Sequence, residues 1–136
     1  MNLQFDNSLK SHFLNLYSIA LSDTEIDSKE LALLYKLGIE RGVTKEDIET
    51  IILNPEKVKF SIPDDVLIKI EYLYDFARMI CADNKIENDE KVALEKFCLK
   101  FGFEHANVST IAEFLIFEAN KGSNLQIVIE QVKQTL

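Results

Sequence analysis

Glycine and proline are scarce in this chain, with four Gly and two Pro in 136 residues. So few breaks argue against a many-stranded sheet, whose turns consume both residues, and suit long helices with short connections. Cysteine is as rare. Cys81 and Cys98, without a CxxC or a nearby histidine, form no zinc motif. Both fall on apolar helical faces, beside Ala77 and Ile80 and beside Leu94 and Phe101, and read as buried free thiols rather than a disulfide. No apolar run approaches the roughly 20 residues of a membrane span. Met1 to Ser8 lacks the basic start and long apolar stretch of a signal peptide, so the expected location is cytoplasmic. Positive charge is also short: 15 Lys and Arg face 23 Asp and Glu, for a net charge of −8. Without a basic stripe, neither a nucleic acid nor an anionic membrane surface is an expected partner.

Helical periodicity, by contrast, runs from end to end. Hydrophobic residues make up 47% and charged residues 28%, an ordinary globular balance. A chain of this size buries about two-thirds of its unfolded surface. Asp6-Asn7-Ser8 offers N-caps for a helix with Leu9, Phe13, Leu16, Tyr17, Ala20 and Leu21 on one face. Lys10, His12, Asn15 and Ser18 fall largely on the other. A second helix runs from about Lys29 to Arg41 and stops at Gly42, a natural residue for a helix end. Thr44-Lys45-Glu46-Asp47 looks like a capping box for a short helix with Ile48, Ile51 and Ile52, ending at Asn54-Pro55.

Residues 54–63, bracketed by Pro55 and Pro63, form the expected linker. Ser61-Ile62-Pro63-Asp64 then starts a helix with proline in its first turn. From Val66 to Ala82 apolar residues nearly encircle that helix, leaving Glu71, Asp75 and Arg78 as a narrow polar stripe. Such a helix belongs in the middle of a core. Leu94, Phe97, Cys98 and Phe101 recur at helical spacing and are ended by Gly102. Val108, Ile111, Ala112, Leu115, Ile116 and Ala119 make a sixth helix, stopping near Lys121-Gly122, and Asn124 caps a seventh. The expectation is an all-α single domain over residues 1–136, a compact bundle of seven or eight helices.

Two acidic turns organise this pattern. Asp83-Asn84-Lys85-Ile86-Glu87-Asn88-Asp89-Glu90 follows the central helix. Sixty residues upstream (83 minus 23) stands Asp23-Thr24-Glu25-Ile26-Asp27-Ser28-Lys29-Glu30. Gly42 and Val43 answer Gly102 and Phe103 in the same register. The chain therefore reads as a duplicated helix–acidic turn–helix unit, with repeats at roughly 9–53 and 69–113.

An EF-hand needs glycine at loop position 6 and a bidentate glutamate at position 12. Counted from Asp23 these are Ser28 and Leu34, and from Asp83 they are Asn88 and Leu94, so neither turn is one. Asp27 with Glu30 resembles a capping box, and Glu87 and Glu90 hold the same offsets. Asp23 and Asp83 each close a helix, where the dipole disfavours a negative charge, and an Asx-turn accounts for them without a ligand. Two readings stand. The acids serve only as caps and turns, or a hard cation, Ca²⁺ or Mg²⁺, relieves the repulsion where the repeats bring the turns together.

An apolar helix, Leu21-x-Asp23 or Cys81-x-Asp83, an isoleucine, a cap, a glutamate three residues on and another apolar helix resemble the TerB-like family. That family includes the tellurite-resistance protein TerB and a domain of the DjlA-type cochaperones. The resemblance implies an α-helical domain whose acidic motif holds metal. Asp23, Glu30, Asp83 and Glu90 are the matching ligands, with Glu25, Asp27, Glu87 and Asp89 as auxiliaries. Two positions depart from the family pattern: Thr24 and Asn84 replace its glycine, and Asp27 and Glu87 its capping serine. Tellurite resistance does not follow from the kinship, because a fold does not fix a role.

No HExxH, nucleophile elbow, phosphate-binding loop or dinucleotide fingerprint occurs, and no catalytic residue is expected. His12, on a polar face, and His105, near a helix start, read as surface or capping residues. Phe97, Phe101, Phe103, Phe114 and Phe117 read as core, and exposure of any of the last three would point to a partner groove. The expected function is a non-enzymatic interaction or stress-response module with an unidentified protein partner, the implied cofactor being a divalent cation. The alternative is a purely protein-binding adaptor whose acids cap helices or face a basic partner.

Overall fold

A computed structural model describes residues 7–20, 28–83 and 88–135. Among these residues there are seven α-helices and no strand, as the periodicity requires. They are α1 Asn7–Ala20, α2 Ser28–Glu40, α3 Lys45–Leu53, α4 Val66–Ile80, α5 Asn88–Lys100, α6 His105–Lys121 and α7 Leu125–Thr135. The chain divides into two compact units, Met1–Ile62 and Pro63–Leu136, parting at the end of the expected linker.

In the first unit α1, α2 and α3 pack pairwise. Their buried residues are Leu9, Phe13 and Leu16 of α1, Leu34 and Leu37 of α2, and Val43, Ile48 and Ile51 in and before α3. The capping box forms in full: the Asp47 N–H donates to Thr44 Oγ1 at 3.1 Å, and the Thr44 N–H donates to Asp47 Oδ2 at 3.1 Å. At the other end, Asn54 donates its N–H to the Thr50 and Ile51 carbonyls and its side-chain amide to the Thr50 carbonyl.

Beyond a 3-10 turn at Pro55–Lys57, the chain is strapped along α1 rather than left as a loose linker. Asn7 Nδ2 donates to the Lys59 carbonyl at 2.8 Å, the Ser8 and Ser61 hydroxyls meet at 3.0 Å, and the Ser61 N–H donates to Ser11 Oγ at 3.1 Å. This corrects the reading of His12 as a surface residue. His12 is only 1% exposed, with its ring edge on Phe13 at 5.5 Å, and Ser11 is buried beside it. Periodicity marks which face is polar, but a polar face with hydrogen-bond partners can still be covered.

In the second unit α4 packs against α5, α6 and α7. It starts later than expected. Asp65 is the N-cap, with Oδ1 accepting from the Leu67 and Ile68 N–H groups at 2.8 and 3.2 Å, so Pro63 precedes the cap instead of entering the first turn. Ile70, Leu73, Phe76, Ala77 and Ile80 are buried. Phe76 stacks on Phe97 with centroids 4.5 Å apart and meets Phe101 edge-on at 6.0 Å. Asp75 is 1% exposed, so this member of the polar stripe of α4 is enclosed too, while Glu71 and Arg78 are half-buried.

Three helices end alike. Gly42, Gly102 and Gly122 have φ of +75, +92 and +76. The residue after each donates back into the helix: Val43 to the Gly38 carbonyl, Phe103 to Cys98 and Ser123 to Glu118. These are Schellman turns, in which a left-handed residue satisfies carbonyls the helix leaves open. α2 and α5 each span 13 residues and start sixty apart (88 minus 28), as do α3 and α6 (105 minus 45).

Gly38 answers to a different constraint, close approach. A Cβ there would lie 2.7 Å from Ile48 Cδ1 and 2.9 Å from the Val43 carbonyl oxygen. In an open helix Gly→Ala gains about 1 kcal/mol. Here Gly38→Ala should instead lower stability by about 1–2 kcal/mol, because the backbone oxygen cannot yield as a side chain can. Urea unfolding measures this, and a variant as stable as its parent would show that α2 does not sit so close to the 43–48 segment.

Candidate functional site

The acidic turns lie mostly beyond description. Asp23, Glu25, Asp27 and Glu87 fall outside the described residues, as do the side chains of Asp83, Asp89 and Glu90. Glu30 is described: it sits in the first turn of α2 and is 7% exposed. Its carboxylate is near the positive end of the helix dipole, where an acid is stabilised. Among the described residues, no group of three or more His, Cys, Asp or Glu side chains could hold a metal.

A second polar cluster holds α6 against α4. The Tyr74 phenol, buried in α4, donates to the carbonyl of Ser123 just past the end of α6. Ser123 Oγ donates to Glu118 Oε1 at 2.8 Å, and Lys121 Nζ stands 3.7 Å from the other oxygen of this buried carboxylate. Burial, chiefly, pushes the Tyr74 phenol up from its ordinary pKa; Arg78 opposes that shift, while Glu118 adds to it. Both cysteines are buried free thiols, as expected, and burial, with Glu95 adding to it, raises Cys98 to about 12. His105 is exposed at the first position of α6. These groups brace the helices and leave little room for chemistry.

An apolar groove is the feature that periodicity alone could not place. α7 takes α4 rather than α6 as its packing partner. The two helices therefore stand apart over α4, and a cavity of about 710 Å³ opens between them. Val66 and Ile70 of α4 line it, with Phe103 from the α5–α6 turn, Thr110, Ile111 and Phe114 of α6, and Gln131, Val132 and Gln134 of α7. The spacings are those of single helix faces: 66 and 70, 110 and 114, 131 and 134. Val66 is 42% exposed. Phe103 and Phe114 are half-exposed, so two aromatics expected in the core lie on an open wall. Phe117 is 60% exposed beneath the Lys121 ammonium and takes no part in the groove. The late phenylalanine cluster was the one sequence signal of this site.

No family model, curated protein or solved structure matches this chain. The groove and the acidic pattern therefore carry the functional reading by themselves.

The thiol shift predicts a pH response. The Cys98 pKa is raised above its unfolded value of 9.0, so the stability it contributes is complete below pH 9 and lost as pH climbs toward about 12. Cys98→Ala should flatten the fall of unfolding free energy between pH 9 and 11, at the cost of some core packing at every pH. An unchanged alkaline slope in that variant would show that Cys98 does not titrate this way.

Proposed function

We propose that this chain is a non-enzymatic interaction module whose working surface is the apolar groove of the second unit. One observation carries this: a cavity within the size range of ligand sites, walled by aliphatic and aromatic side chains and left open to solvent. Scattered exposed apolar residues need no explanation, but a contiguous concave set does. The side chains at 103, 111, 114 and 132 are half-buried, so the fold gains only part of their burial energy. The same reading places the module in the cytoplasm and gives it a partner contact instead of a reaction. Among the described residues no helix is long and apolar enough to cross a membrane.

Kinship with TerB-like domains belongs to this proposal and rests on the doubled acidic motif. The common sixty-residue offset of the helix starts supports reading the two halves as copies of one unit. A Ca²⁺ or Mg²⁺ ion at the acidic turns is the second part of the proposal, carried by the pattern of Asp23, Glu30, Asp83 and Glu90 with their auxiliaries.

The groove is tested with N-phenyl-1-naphthylamine, a neutral fluorophore that brightens in apolar sites. It should bind the folded protein at one site, and Phe114→Glu should weaken it at least tenfold while the thermal midpoint moves by only a few degrees. A dark probe in the presence of native protein would retire the groove as a working surface. The cation is tested separately, by calorimetric titration of chelator-stripped protein with Ca²⁺ and Mg²⁺. Saturable heat that disappears in Asp23→Asn or Asp83→Asn is expected, and flat titrations up to millimolar ion would leave the acids as caps.

A further inference from the structure

No acid lines the groove, although Asp65 and Glu104 flank its lining residues Val66 and Phe103 in the chain. In a chain of net charge −8, none of its nine lining residues is Asp or Glu, and its polar members are neutral: Thr110, Gln131 and Gln134. A cation stands at its edge. Lys69, one residue before Ile70, is half-buried, with Nζ 6.0 Å from the centroid of the lining ring of Phe103. The Lys69 ammonium also comes close to Gly102, where a Cβ would lie 3.7 Å from it, in ordinary contact. Among the described residues Lys69 meets no carboxylate, whereas Lys91 and Lys121 face Glu113 and Glu118.

An ammonium held on an aromatic face beside an apolar trough, with no carboxylate paired to it among the described residues, is complementary to an anionic amphiphile. From this juxtaposition we infer that the groove binds an amphiphile with a saturated hydrocarbon body and an anionic carboxylate head, a medium- to long-chain fatty acid. The chain lies between α6 and α7 on Ile70, Ile111, Phe114 and Val132. The carboxylate takes a charge-assisted hydrogen bond from Lys69 Nζ, which the neutral alcohol cannot replace at equal strength. Net negative charge elsewhere works against an anion at long range, but beyond about 8 Å it is screened at physiological salt. Contact with Lys69 is inside that distance.

This inference rests on reading the groove as the working surface, and one displacement experiment separates the two. Dodecanoate, dodecanol and dodecylammonium, each below its micellar concentration, compete with bound N-phenyl-1-naphthylamine on the full chain. Dodecanoate should displace the probe at one site, about tenfold better than dodecanol, with the ammonium weakest. Each removal of two carbons should weaken it about tenfold, as the transfer of two methylenes requires. Lys69→Gln, at a half-buried site, should bring acid and alcohol level without changing probe affinity. If the acid and alcohol bind native protein equally, the carboxylate inference falls and the groove reading stands. A probe that never brightens ends both. A concentration-dependent dimer that excludes the probe would assign the groove to a second copy of the chain and overturn the fatty-acid assignment.

Discussion

Helix α4 carries more apolar surface than one neighbour can cover. Ile70, Tyr72, Leu73, Tyr74, Phe76, Ala77, Met79 and Ile80 point around more than half of its circumference, and all are buried. Each of the larger aliphatic and phenyl side chains contributes about 1.5–3 kcal/mol when fully buried, so the second unit forms only if several helices converge on α4. α5, α6 and α7 do so, and the Tyr74–Ser123–Glu118 bonds pin the end of α6 to it. Three helices laid on one cannot all touch one another. Where α6 and α7 part, the coverage fails, and the groove is what that failure leaves.

The turns decide how the helices can part. After Gly102 the chain reverses through a left-handed residue, and the next side chain, Phe103, is delivered to the groove wall instead of continuing the helix face. Gly122 does the same at the end of α6, releasing the chain after three residues into α7, whose first turn is tied by the Asn124 side chain. In the first unit Gly42 makes the same reversal, but Val43 then packs inward and Gly38 permits close approach. At the position sixty residues after Gly38 stands Cys98, a larger side chain that is itself buried. One turn chemistry thus delivers a buried side chain in one unit and a groove-lining one in the other.

Helix boundaries were legible in the sequence because capping and left-handed turns are local events. Thr44 with Asp47, Asn124, Gly42, Gly102 and Gly122 each act within a few residues of themselves, and each acts as its type requires. Enclosure was not legible. His12 and Asp75 look like surface residues on a helical wheel, but a wheel knows one helix and not what crosses over it. Ser11, Ser8 and Asn7 bond the 59–61 segment fifty residues away, and no short-range pattern announces that strap. The groove was half legible: its phenylalanines stood out, whereas Val66, Ile70, Ile111 and Val132 carry the same periodicity as any core residue. Only the absence of a neighbour distinguishes them, and absence has no sequence signature.

Within the second unit, distance separates the proposed groove from the acidic turn after α4. The groove takes α4 at Val66 and Ile70, and the acidic turn begins at Asp83, beyond the other end of a helix of 15 residues. At 1.5 Å per residue, Ile70 and Asp83 are about 20 Å apart along the axis, more than two Debye lengths at physiological ionic strength. A cation at the turn would therefore exert almost no direct field on a carboxylate beside Lys69. Coupling between them, if measured, would have to pass through the packing of α4 against α5 and α6, where Phe76, Phe97 and Phe101 interlock. Loading one site with the other empty thus reports on the rigidity of that aromatic contact, and equal affinities in the two states are what a rigid α4 requires.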